Sequence, residues 1–197
     1  MSAAARRGLI VFLLGLGVIL AAFAYSLWSG SDNGGYVGVP IGGPFALTDQ
    51  NGVLRHDGDF RGELMLVYFG YTFCPDACPT ALTTMSAATD KLGDRAKEVQ
   101  PIFITVDPAR DTVAQMKLYA SNFTPRLIAL TGTPQQVTDA ARAYRVYFAK
   151  ATGESENDYL MDHSGFIYLM GRDGRYLAHF GPDATADAMA ATIQKYL

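Results

Sequence analysis

No run of basic residues occurs after residue 28, no segment repeats, and no stretch is of low complexity. The first absence argues against nucleic-acid binding. The seven methionines form no M-x-x-M array, so a methionine-rich metal box is not supported. Cysteine is equally scarce: Cys74 and Cys78 are the only two. A bridge between them would close so short a loop that it would restrain little of the unfolded chain, so a purely structural disulfide is a weak explanation for the pair.

What is present is an apolar chain of 197 residues, 49% hydrophobic and 18% charged, with a formal net charge of -3. That composition is globular rather than disordered. Residues Gly8 to Trp28 carry no charge over 21 residues. As a helix they would span roughly 31 Å, one bilayer core. Arg6 and Arg7 precede the segment, and the first charge after it is Asp32. Positive charge stays inside, so the expected topology is a single pass with the N-terminus in the cytoplasm. The competing reading is a signal peptide cut after Ala22-Phe23-Ala24, but the apolar run continues to Trp28 and favours an uncleaved anchor. Both readings put the rest of the chain in the periplasm, with the anchor in the cell inner membrane. The expected organisation is an anchor over 1–28, a Gly/Ser-rich linker over 29–43 and one domain over 44–197.

Within that domain, Gln50-Asn51-Gly52 between short alternating runs predicts a hairpin. The continuous apolar run within 63–70 predicts a strand buried on both faces, as in a parallel sheet, and 99–106 predicts a second buried strand. Helices are expected over 79–92, from Asp111 or Thr112 to about 123, from Thr133-Pro134 to about 144, and after Asp183 or Thr185. Further strands are expected at 127–131, 146–149, 166–170 and 176–180, with 150–162 a polar loop. The order predicts an α/β fold with a mixed central sheet flanked by helices and an N-terminal β-hairpin. A cysteine pair at the mouth of the first buried strand, entering a helix, is the thioredoxin-like arrangement with one extra residue between the cysteines.

Cys74 and Cys78, in YTFCPDACPT, stand four apart at a helix start and so share a face. A helix N-terminus stabilises thiolates, the form that attacks disulfides and binds soft metals. His163, in Asp162-His163-Ser164, precedes a strand whose entering loop faces the cysteine turn in a thioredoxin-like sheet. Two thiolates and an imidazole suit Cu(I), and with small adjustments Cu(II). Zinc would accept the same atoms but usually takes a fourth ligand. Asp162 is a candidate acceptor for the His163 ring, and Asp76 a turn former or redox tuner. His56 and His179 have no such context and read as structural.

Three segments together resemble a known family. Tyr71-Thr-Phe-Cys-Pro-Asp-Ala-Cys-Pro79, Val106-Asp-Pro-Ala-Arg-Asp-Thr112 and Asp162-His163-Ser164 are similar, in order, to the signature segments of Sco/SenC proteins. The resemblance implies a copper metallochaperone rather than an enzyme. It implies delivery of copper to the binuclear centre of the copper-bearing cytochrome c oxidase subunit. Other copper chaperones and a thiol reductant would be partners, with Cys74 and Cys78 forming a redox disulfide. In some bacteria it implies thiol reduction or redox sensing instead. A thiol-disulfide oxidoreductase would use Cys74 as nucleophile and Cys78 as resolving thiol. A peroxidase reading would nominate Thr72 and Arg126 as helpers. Membrane-extracted protein is predicted to keep Gly8–Trp28; a mature N-terminus at Tyr25 on sequencing would rule out the anchor.

Overall fold

The computed structural model describes residues 40–124, 126–151 and 159–197. The expected anchor lies outside the described residues, as does most of the expected linker. Among the described residues no helix is long and apolar enough to cross a membrane.

The two apolar runs become neighbouring strands inside the sheet. β3 (Leu64–Gly70) and β4 (Val99–Thr105) pair in parallel, and every residue of both is buried. A strand buried on both faces can carry apolar side chains at every position, which is why neither run alternates. β5 (Ile128–Thr131) adds in parallel beside β4. On the other flank β8 (Ile167–Met170) lies antiparallel to β3, and β9 (Tyr176–Phe180) antiparallel to β8. The hairpin of β1 (Ala46–Asp49) and β2 (Leu54–His56) joins beyond β5, giving the seven-strand order β2-β1-β5-β4-β3-β8-β9. Gly52, at φ +81°, supplies the left-handed turn residue that the Asn-Gly signal predicts.

Among the described residues, four α-helices flank this mixed sheet. α1 (Ala77–Asp90) packs on β3 and β4 and against α4 (Ala186–Gln194). It begins two residues earlier than Pro79, so Cys78 falls inside its first turn. Pro79 is tolerated there because the first N–H groups of a helix have no intrahelical acceptor. α2 (Val113–Ala120) is capped by Thr112, whose side chain accepts from the Gln115 amide; Asp111 instead turns inward. α3 (Pro134–Ala143) opens with a reciprocal Thr133–Gln136 capping box, which fixes its start as the sequence predicts.

Two expectations change. Residues 41–43, within the expected linker, pack on the fold: the Gly42 amide donates to the Ala143 carbonyl at 2.9 Å, and Ile41 lies against the core. The stretch expected as a polar loop ends in a strand. β6 (Phe148–Lys150) and β7 (Met161–His163) form a separate antiparallel ribbon, with Phe148 opposite His163. Three-residue strands carry too little alternation to be read from a sequence.

Gly70 ends β3 under the helix. A Cβ there would lie 2.8 Å from the Cys78 sulfur and 3.0 Å from Phe103. Gly70→Ala is therefore predicted to cost about 1–3 kcal/mol by overpacking. Urea unfolding of the reduced protein measures this, and an unchanged midpoint would refute the contact.

Candidate metal centre

The chain leaves β3 at Gly70 and reaches α1 through Tyr71 to Asp76, so the cysteines sit where a buried strand hands over to a helix. The Cys74 amide donates to the Tyr71 carbonyl at 3.3 Å, closing a turn. One helical turn on, the Cys78 amide donates to the Cys74 sulfur at 3.3 Å. Cys78 is fully buried and Cys74 is half-buried; neither is in a disulfide.

The loop after β4 holds the cysteine turn from outside. The Asp111 carboxylate accepts from the Thr72 amide at 3.0 Å, the Thr72 hydroxyl at 2.6 Å and the Thr105 hydroxyl at 2.6 Å. Its carboxyl is raised above the ordinary carboxylate range, chiefly by burial, and the threonine donors oppose that rise. Thr72 stands two residues before Cys74, so this knot sets where the first thiol begins.

His163 arrives on β7. The ribbon end is fixed by the Ser164 amide donating to the Tyr147 carbonyl at 3.0 Å and the Tyr147 amide donating to the Ser164 hydroxyl at 3.1 Å. The ring stands edge-on to Tyr68 and Tyr71, with both centroid distances 6.0 Å. Its Nδ1 lies 3.1 Å from the Ser164 carbonyl, and its Nε2 lies 3.4 Å from the Cys78 sulfur. A carbonyl only accepts, so in the neutral ring Nδ1 carries the proton. Nε2 then presents its lone pair to the thiols.

The two thiols differ in charge as well as exposure. The adjacent Cys78 thiol is the main cause that holds Cys74 well below the ordinary thiol range; burial opposes it, while the Cys78 and Asp76 amides add to it. Cys78 is pushed far up, first by Cys74 and then by burial. The two shifts run in opposite directions, favouring a thiolate on Cys74 and a thiol on Cys78.

Cys74 and His163 line one cleft of about 430 Å³ with Tyr68, Met161 and Pro182; Cys78 is buried behind it, its sulfur 3.4 Å from the His163 Nε2. Among the described residues no three His, Cys, Asp or Glu side chains stand in a closed ligating array. The donors are adjacent rather than already wrapped around a point. Their chemistry, two sulfurs and an imidazole lone pair, fits a soft ion with a low coordination number. Asp76 is exposed at the start of α1, where its side chain accepts from the Thr80 hydroxyl at 3.3 Å. Asp162 is exposed at the cleft wall, and the acceptor at the His163 ring is the Ser164 carbonyl. His56 and His179 do not line the cleft; His179 is exposed, 2.5 Å from the Tyr176 hydroxyl. Thr72 and Arg126 do not converge: Thr72 binds Asp111, whereas Arg126 binds Glu63 at the opposite end of β3.

Sequence reasoning assigned no role to Tyr68, Tyr71, Arg110 or Tyr159. The signal that could have found Arg110 was Val106–Thr112, where an arginine stands between two aspartates of a segment that carries the resemblance. The thiol asymmetry makes a prediction. Alkylation of reduced protein should modify Cys74 at a rate nearly flat from about pH 5 to 8. An ordinary thiol, with a pKa of about 8.5, gains roughly tenfold per pH unit there. Peptide mapping with iodoacetamide checks it, and a tenfold rise per unit at Cys74 would refute the assignment.

Residues 36–197 match the family described as SCO1/SenC. The SCO2-like protein of Rickettsia prowazekii is 42% identical over 149 residues, covering 75% of this chain and 73% of that protein. The human mitochondrial protein SCO1 homolog is 39% identical over 165 residues, 82% of this chain and 55% of that longer protein. The copper-bound structure of ScoI from Bradyrhizobium japonicum is 46% identical, with a TM-score of 0.74 over 80% of this chain and 99% of that one. With the family matched over most of its length, and relatives above 30% identity covered over most of theirs, the chain belongs to the SCO1/SenC family.

Proposed function

We propose that this chain is a membrane-tethered copper metallochaperone. Copper is its cargo, held by Cys74, Cys78 and His163 and delivered to the binuclear copper centre of cytochrome c oxidase during assembly. The observation that carries the reading is the placing of the His163 Nε2 lone pair 3.4 Å from the Cys78 sulfur, itself one helical turn from Cys74. Membership of the family and the likeness to copper-bound ScoI support it. The Gly8–Trp28 segment would hold the domain at the periplasmic face of the inner membrane, beside the copper-bearing oxidase subunit.

The division of labour stems from the chain. The two sulfurs are local to one strand–helix junction and form a pair wherever that junction folds. His163 comes from the ribbon, 85 residues after Cys78. Cu(I) accepts two soft ligands, whereas Cu(II) favours nitrogen donors. Loading requires both thiols free, so a Cys74–Cys78 disulfide would block it. A thiol reductant in the oxidising compartment and other copper chaperones are the partners this chemistry requires.

One observation favours a second reading. A half-exposed Cys74 thiolate beside a buried Cys78 thiol is also the arrangement of a disulfide reductase. Cys74 would attack a substrate disulfide and form a mixed disulfide, releasing one substrate thiolate. Cys78 would then displace the second and leave the chain oxidised.

Copper titration of the reduced, full-length protein separates the two. His163→Ala is predicted to weaken Cu(II) at least about tenfold (≈ 1.4 kcal/mol) while Cu(I) binding persists. Cys74→Ser and Cys78→Ser should damage both states. If His163→Ala binds Cu(II) as wild type does, with the same spectrum, the three-ligand reading is wrong. Disulfide reduction lost only in the cysteine variants would then favour the reductase.

A further inference from the structure

The two segments that carry the proposed ligands are not neighbours in sequence, and among the described residues no strand pairing joins the ribbon to the seven-stranded sheet. Arg110 stacks across the gap. Arg110, on the loop after β4, is largely buried, with its side chain 16% exposed. Its guanidinium carbon lies 3.6 Å from the centroid of the Tyr159 ring and 4.8 Å from that of Phe73. It lies 5.8 Å from the Tyr71 ring, which itself stands edge-on to His163. Phe73 is bonded to Cys74 in the chain, and Tyr159 leads into β7, which ends at His163.

The stack is oriented from behind. Arg110 Nε donates to the Asp107 carboxylate, and the Tyr159 hydroxyl donates to the other oxygen of the same carboxylate at 2.9 Å. Asp107 is in turn held by its amide, which donates to the Thr105 hydroxyl at 2.8 Å. One carboxylate thus fixes both the cation and one ring that it covers. Lys150, on β6, approaches the Tyr159 ring at 3.9 Å, so both strands of the ribbon meet this cluster. A planar guanidinium suits such a place, because it stacks on aromatic faces while its edge pairs with a carboxylate.

We propose that Arg110 is a positioning residue of the metal centre, a clasp that holds the ribbon bearing His163 in register with the turn bearing Cys74. The inference rests on the three-ligand reading for its consequence in copper binding, but not for the clasp itself. Arg110 touches no ligand atom. It acts through Tyr159 on one side and Phe73 on the other. Without it the thiol pair keeps its local geometry, and the imidazole is the donor that drifts.

The test uses the full-length chain in detergent, reduced and metal-free first. In wild type, the His163 ring protons are predicted to resonate away from free-histidine positions, because Tyr68 and Tyr71 stand T-shaped to that ring. Arg110→Met is predicted to move these signals toward free values. It should also speed amide exchange of Ala151, which bonds across the ribbon to Leu160, by at least about tenfold. Amides of β3 and β4 should keep their protection, which shows that the fold is intact. With copper, the variant should lose the nitrogen hyperfine signature of Cu(II) and weaken Cu(II) roughly ten- to a hundredfold. Arg110→Met combined with His163→Ala should bind no worse than His163→Ala alone, because one acts through the other.

Unchanged His163 signals and ribbon exchange in metal-free Arg110→Met overturn the clasp, whatever copper does. Losses that add to those of His163→Ala overturn it as well. If the ring moves in Arg110→Met yet His163→Ala binds Cu(II) normally, the clasp stands and the ligand reading falls. Should Arg110→Met fail to fold, Tyr159→Phe cuts only the hydroxyl bond to Asp107. A smaller shift in the same direction supports the clasp, and wild-type values overturn it.

Discussion

A carboxylate taken out of water must be given donors, and the whole site is arranged around one that is. Asp111 is fully buried between the end of β4 and the cysteine turn, and Thr72 and Thr105 supply three hydrogen bonds to it. Leaving such a group unsatisfied costs at least about 1–3 kcal/mol, more when it is charged. The turn therefore has little freedom to move without exposing that cost. Two of the three bonds come from Thr72, so the segment entering Cys74 is held by the strand–loop junction next to it. The helix then places Cys78 one turn later with no further instruction.

The imidazole is positioned by different means. No comparable carboxylate serves His163. Its ring is placed by backbone bonds at the ribbon end, by the edges of two tyrosines and by the Ser164 carbonyl. These are individually modest interactions, each worth about a kcal/mol. The centre joins a stiff half to a softer half, and the softer half contributes the one donor that distinguishes Cu(II) from Cu(I) in the proposed function.

Much of the sheet was legible because its central strands are continuous apolar runs, and few other structures accept seven such residues in a row. The helix starts were legible through Thr112, Thr133 and Thr185, whose hydroxyls each accept the expected amide. Cys74, Cys78 and His163 could be nominated because cysteine and histidine are so few. What the sequence concealed was contact across long separations. Nothing local marks Asp111 as an inward carboxylate rather than a cap; the difference is a threonine 39 positions away. Nor does Arg110 announce that it lies under a tyrosine 49 residues later, since stacking leaves no periodic trace. The first strand of the ribbon is expected at 146–149, but its partner β7 falls where the sequence reads as loop, because three polar-flanked residues give no pattern long enough to count. The acceptor for His163 was sought among side chains, whereas a backbone carbonyl, which every residue carries, fills that role.

The unequal depth of the two sulfurs has a kinetic meaning. Cys78 sits beneath the helix start against Gly70, with no exposed surface, while Cys74 opens onto the cleft. In the proposed function, an ion held by both sulfurs would be approached from the Cys74 side only. An incoming donor would meet the Cys74 sulfur first and could replace it while Cys78 still held on. Loading along the same path in reverse would bind the deep sulfur first and the exposed one last. A single door would then serve traffic in both directions, with the order of exchange set by burial.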